Sequence, residues 1–179
     1  MKYFFLKVDD ESPLPNLTDL HGQMDVRHVN KQNFHKLARH TTISVKQAPE
    51  TLYADVLTHR LFMVTKGVAE VIRYYDNTVD FKTLVLFSPE DKEGKIYLIP
   101  ILDEIDCLAE GTKLTLDHSV VLHAVIDPAK TMGKAIFKLG GAKNTYIVAR
   151  LDFVESLLRR RALGVKVEEI SVGGSGENE

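Results

Sequence analysis

A single cysteine, Cys107, occurs among 179 residues. No intrachain disulfide can form, and a disulfide-stapled secreted scaffold is excluded. No apolar run approaches the roughly 18 residues that a membrane-crossing helix needs, so a membrane is not an expected partner. The opening MKYFFLKVDDE turns acidic too soon to hold the apolar centre of a signal peptide. Neither sign of charge is in excess, because 23 basic and 25 acidic side chains leave a net of −2. That balance supplies no general field for phosphate backbones, so nucleic acid is not an expected partner either. HExxH, paired-cysteine spacing and the P-loop are also missing. What remains is the composition of a soluble, cytoplasmic globular domain, 44% hydrophobic and 27% charged.

Residues 135–170 carry the most legible architecture. Two short apolar runs, 135–139 and 145–149, flank Gly140-Gly141-Ala142-Lys143-Asn144, a loop of hairpin length with residues tolerant of positive φ. A helix follows, with Asp152 and Glu155 at capping-box spacing and Gly164 at the expected C′ position. Arg159, Arg160 and Arg161 fall in its last turns, where cations complement the macrodipole. Val165 and Val167 then alternate with Lys166 and Glu168, which predicts a half-exposed strand near a sheet edge.

Upstream, strands are predicted over 2–8, 41–46, 52–57, 61–64, 81–87 and 95–102. Pro100 lacks a ladder donor and predicts an edge or bulge. Thr65 is an expected N-cap, and Val68, Val71, Ile72 and Tyr75 form the buried stripe of the helix behind it. A short helix over 30–39, a helical turn over 103–110 and strands over 113–116 and 120–126 complete the reading. The fold class expected is α+β, as one domain over 1–171 with a mainly antiparallel or mixed sheet, a few short helices and a C-terminal strand–helix–strand unit. Residues 172–179 are expected to be a disordered tail.

The chemistry-bearing residues do not converge in sequence. His21, His28 and His35 recur every seven residues, but on one helix that is about 10 Å of rise, too far to share an ion. His118 and His123, five apart on expected strands, would face opposite sides of a sheet. One enzymatic alternative remains, a small Cys/His hydrolase or transferase. In it Cys107 attacks, His118 or His123 serves as base, and Asp103 or Asp106 orients the imidazole. Ile105 and Leu108 beside Cys107 instead favour a small buried side chain. Gly140-Gly141 joins two strands and opens no helix, so it is no phosphate cradle. No catalytic, cofactor-binding or metal residue is assigned, and no cofactor is expected.

Three blocks resemble a family of bacterial immunity proteins from polymorphic toxin systems. They are LFMVTKGVAEVIRYY (residues 61–75), KIYLIPILDEIDCL (95–108), and AIFKL with YIVARLDFVESLLRRRALGVKVEEI (135–170). The resemblance implies an α+β protein of the cytoplasm that binds and neutralises a cognate toxin protein encoded nearby. It transfers no catalytic or cofactor residue, and residues 12–50 lie outside it. The edge strand expected at 165–170 adds a route to a homo-oligomer.

Overall fold

Long runs of β-branched and aromatic residues on either side of a charged turn make β-pairing the dominant local event. The computed structural model describes residues 1–173 apart from 10, 12, 47, 49 and 59. In chain order its strands and helices begin with β1 (Tyr3–Val8), β2 (Asn16–Leu17), α1 (Leu20–Gln23), β3 (His40–Lys46), β4 (Val56–Leu57), β5 (Met63–Val64) and α2 (Lys66–Tyr75). There follow β6 (Asp80–Ser88), β7 (Glu93–Ile101), β8 (Glu104–Ile105), β9 (Lys113–Leu114), β10 (Val121–His123) and β11 (Val125–Ile126). The last are β12 (Ile136–Leu139), β13 (Ile147–Arg150), α3 (Leu151–Arg159) and β14 (Val165–Val172). The chain is a single-domain α+β fold with mixed sheets.

One six-stranded sheet has the order β2-β3-β6-β7-β5-β4, and the other β11-β14-β1-β13-β12-β8. Helix α2 lies on β5 and β7, α3 lies on β13 and β1, and the helices meet each other. The core they share takes Val68, Val71 and Ile72 from α2 and Phe153, Val154 and Leu157 from α3, against Leu6, Val64 and Ile147 of the strands. The Tyr75 hydroxyl crosses between the helices, donating to the Asp152 carbonyl at 2.8 Å. A second core lies between β3, β6, β7 and the α1 region, and a third lies behind the second sheet around Phe137 and Val148.

The second sheet is nearly closed on itself. Segment 104–109 leaves β8 at one edge, where Ile105 lies opposite Leu139, and reaches β11 at the other, where Leu108 lies opposite Ile126. Ala109 N–H donates to the Val125 carbonyl and Asp127 N–H to the Cys107 carbonyl, each at 2.8 Å. These partners draw 104–109 into extended structure, so the helical turn expected over 103–110 does not form. Gly140 permits the closure, since a Cβ there would lie 2.9 Å from the Asp106 nitrogen.

Other expectations also need correcting. Residues 30–39 form no α-helix; 3-10 turns occupy Val26–His28 and Phe34–Lys36. Thr65 precedes α2, but its hydroxyl donates to Asp55 Oδ1 at 2.7 Å and caps nothing. Asp55 also accepts from Leu163 N–H through Oδ2 at 2.7 Å, and its backbone bonds both Leu163 and Thr65. The capping box at Asp152 and Glu155 does not form, because Asp152 is held by the Arg150 guanidinium through two contacts of 2.7 Å. Helix α3 ends in a Schellman pattern with Arg161, at φ 56°, in the C′ place. Gly164 instead serves the approach to Ala54, whose Cβ would be 2.5 Å from an added Cβ. Pro100 lies within β7 opposite Phe81, but β5 reaches β7 only at Leu98, so the strand is locally an edge there. Of the tail expected over 172–179, Val172 closes β14 and Gly173 N–H donates to the Ile126 carbonyl. Residues 174–179 lie outside the described residues.

A half-buried ion cluster ties the end of α2 to the strands. Lys134 lies 2.5 Å from Asp76 and 2.8 Å from Asp103, and Lys31 lies 2.5 Å from Asp103. Burial pushes both carboxyls up, but the Lys134 ammonium and, for Asp76, the Thr78 hydroxyl and amide outweigh it. Asp76 is held at about 2, and Asp103 is lowered by Lys134 and Lys31. Lys134→Met should therefore lower the unfolding free energy by about 2 kcal/mol at pH 7. The native carboxyls bind protons less readily than unfolded ones, so their contribution is complete above about pH 4 and is lost as pH falls toward 2. Urea titrations across that range should show the gap between variant and wild type closing. In the same assay Gly140→Ala should cost about 2 kcal/mol, because the obstruction is backbone. Gly67→Ala, in open space on α2, should instead gain about 0.5–1 kcal/mol.

Candidate partner-binding surface

The alternating strands β9 and β10 and the polar residues between them build a hairpin. Leu114 lies opposite Val121 and Lys113 opposite His123, with the register shifting between them. Leu122 is the extra residue of this bulge, a device that re-aims side chains. Between the strands, Thr115 and Val120 close the loop through the Thr115 N–H to the Val120 carbonyl and the Val120 N–H to the Thr115 hydroxyl, both at 3.0 Å. The Asp117 carboxylate accepts from the Thr115 hydroxyl at 2.7 Å, the Ser119 hydroxyl at 2.7 Å and the Ser119 amide at 3.1 Å. Those donors hold its carboxyl down at about 2. His118 takes the left-handed conformation at φ 58°.

The hairpin is also fastened to the 143–146 segment, at its turn and on β10. Lys143 N–H donates to the His118 carbonyl at 2.8 Å, and Val121 N–H to the Tyr146 hydroxyl at 3.0 Å. The Tyr146 ring packs on Phe5 at 5.4 Å between centroids. This frame leaves Leu116 fully exposed, Leu122 66% exposed and Val120 39% exposed. Leu116 and Val120 in the turn and Leu122 on β10 are thus exposed apolar side chains within seven residues, and burial of either leucine on a partner is worth about 1.5–3 kcal/mol. No sequence signal singled these residues out. The Asp117-x-Ser119 turn chemistry was visible, but the absence of anything packed on Leu116 was not.

The sequence candidates for chemistry lie elsewhere or apart. Cys107 is 0% exposed in the third core. Burial first, and then the Asp106 and Asp127 charges, push its thiol up to about 11. A thiol so placed is protonated at neutral pH and out of a substrate's reach, so the geometry gives it a packing role. His118 and His123 are exposed on the hairpin, and His118 sits in the turn, not on a strand. Asp103 is engaged by Lys31 and Lys134, and Asp106 is exposed beside Gly140. His21, His28 and His35 fall on α1 and on the two following 3-10 turns, so they share no helix. Among the described residues no group of three His, Cys, Asp or Glu is placed to hold a metal ion.

A cleft of about 550 Å³ opens between the 3-10 turns and the start of β8, lined by Val29, Lys31, Leu102, Asp103 and Lys138 among others. Its charges are satisfied internally, Lys31 by Asp103 and Lys138 by Glu104 at 2.8 Å. The hairpin differs in presenting Leu116 and Leu122 largely to solvent among the described residues.

Asp117→Ala removes the acceptor that organises the loop. Amide exchange at Ser119 and Val120 should accelerate about tenfold or more, while the melting temperature moves by less than about 3 °C, as suits an exposed turn.

Comparison with known proteins gives no matching family model and no matching curated protein.

Proposed function

We propose that this chain is a non-catalytic binding protein of the cytoplasm, and that it neutralises a cognate bacterial toxin domain by direct association. The observation that carries the reading is the hairpin tip. A loop with its own hydrogen-bond network holds Leu116 fully toward solvent, and the bulge in β10 leaves Leu122 largely exposed beside it. Pre-ordering of that kind lowers the entropy lost on association and suits an anchor that enters a partner's pocket. The resemblance of residues 61–75, 95–108 and 135–170 to immunity proteins supplies the class of partner.

Co-expression with the toxic domain encoded beside this gene tests the proposal. The wild-type chain should co-purify with it and restore growth. Leu116→Glu should weaken the complex by about 10- to 100-fold with an unchanged circular dichroism spectrum. A wild-type chain that neither binds nor protects would remove the function. Full protection by the Leu116→Glu variant would remove the hairpin as the contact.

A further inference from the structure

Among the described residues, strand β14 is paired along most of its length on one flank only. β1 covers it from Val165 to Ile170, whereas β11 meets its other flank only at Ser171 and Val172. The direction of the free groups follows from the ladder. The Gly164 carbonyl accepts from Asp9 on the β1 side, and Gly173 N–H donates to Ile126 on the opposite side. By strand alternation, Val165, Val167 and Glu169 turn their N–H and C=O groups to the uncovered flank.

We propose that this flank pairs antiparallel with the same flank of a second copy of the chain, about a two-fold axis through Val167. The register is selective. With Val167 opposite its own copy and Val165 opposite Glu169, the outward groups meet in about six backbone hydrogen bonds. Lys166 then lies opposite the second copy's Glu168, which Lys7 of its own chain also reaches, at the positions where side chains approach most closely, and both are exposed on the same face. An axis through Lys166 sets like charges against each other, as does an axis through Glu168. An axis through Glu169 needs Ser171, which β11 occupies. One register alone gives full backbone pairing and unlike charges while leaving β11 in place. The isologous contact is closed, so the charged edge does not propagate into a fibre. This association is independent of the hairpin and of the toxin-binding reading.

The seam is shorter than a standard interface, which places dimerisation in the micromolar range and makes it sensitive to salt. Sedimentation velocity on the intact protein from about 5 µM to about 1 mM should show a monomer–dimer equilibrium. Val167→Pro removes an N–H that points away from β1, so it should abolish the dimer and keep the wild-type circular dichroism spectrum. K166E alone and E168K alone each oppose like charges across the seam and should weaken dimerisation about tenfold or more. An equimolar mixture of the two restores unlike pairs and should recover a heterodimer. A wild-type chain that stays monomeric throughout would overturn self-pairing and leave the edge to a strand from another protein. Failure of the mixture to exceed either variant alone would overturn the register.

Discussion

Residues 104–109 join both edges of the second sheet, and most of what distinguishes this molecule follows from that closure. A six-stranded sheet whose ends are tied by one short segment must curl, and its concave side becomes the third core. The tie is backbone to backbone, through β8 with β12 and through Leu108 with Ile126. Such pairing demands close approach, and Gly140 supplies it beside Asp106. The closure decides the state of Cys107 as well. The segment turns that side chain inward among Ile105, Phe137 and Val148, where desolvation suppresses the thiolate.

The two sheets are held to each other by apolar packing along α2 and α3 and by polar contacts at the margins of that core. Asp55 fastens the approach to β4 to the start of α2 and to the turn before β14. Diverting the Thr65 hydroxyl to Asp55 leaves α2 without a side-chain cap, so its stability rests on burial of Val68, Ala69, Val71 and Ile72. At the other end of α2 the Lys134 cluster holds Asp76 and Asp103 together, and Lys31 brings the segment between the 3-10 turns onto the same cluster. Residues 26–36, with little secondary structure of their own, are thereby fixed by charge and by a few apolar contacts.

Elements whose signal was local were legible in the chain. The buried stripe of α2, the β6–β7 hairpin, and the β12–β13–α3–β14 run all follow from residue spacing and turn chemistry within about a dozen positions. What failed depended on distant partners. Asp103–Glu110 looks helical in isolation because its acidic residues suit a first turn, yet its backbone is claimed by β12 and β11. Asp152 and Glu155 have capping-box spacing, but Arg150 takes the carboxylate first. Gly164 looks like a helix stop, and its reason lies in Ala54, far away in sequence. The candidate surface was the least legible part. Leu116, Val120 and Leu122 read as strand residues, and only the fold reveals how far Leu116 and Leu122 are left exposed.

Strand β11 links the two surfaces that the fold leaves open. Its two residues end the free flank of β14 at Ser171, and the chain enters it directly from β10 of the hairpin. Antiparallel pairing across β14 places one β11 at each end of the seam, so each hairpin is rooted at an opposite end. Lys166 and Glu168 face the side of the sheet that carries Phe5, whereas Val165 and Val167 pack toward the helices. The seam thus adds backbone bonds and exposed charge pairs without drawing on either apolar surface. Self-association and capture of a partner at Leu116 are accordingly compatible: a dimer would still present two hairpin tips, and the energetics of each contact can be altered separately.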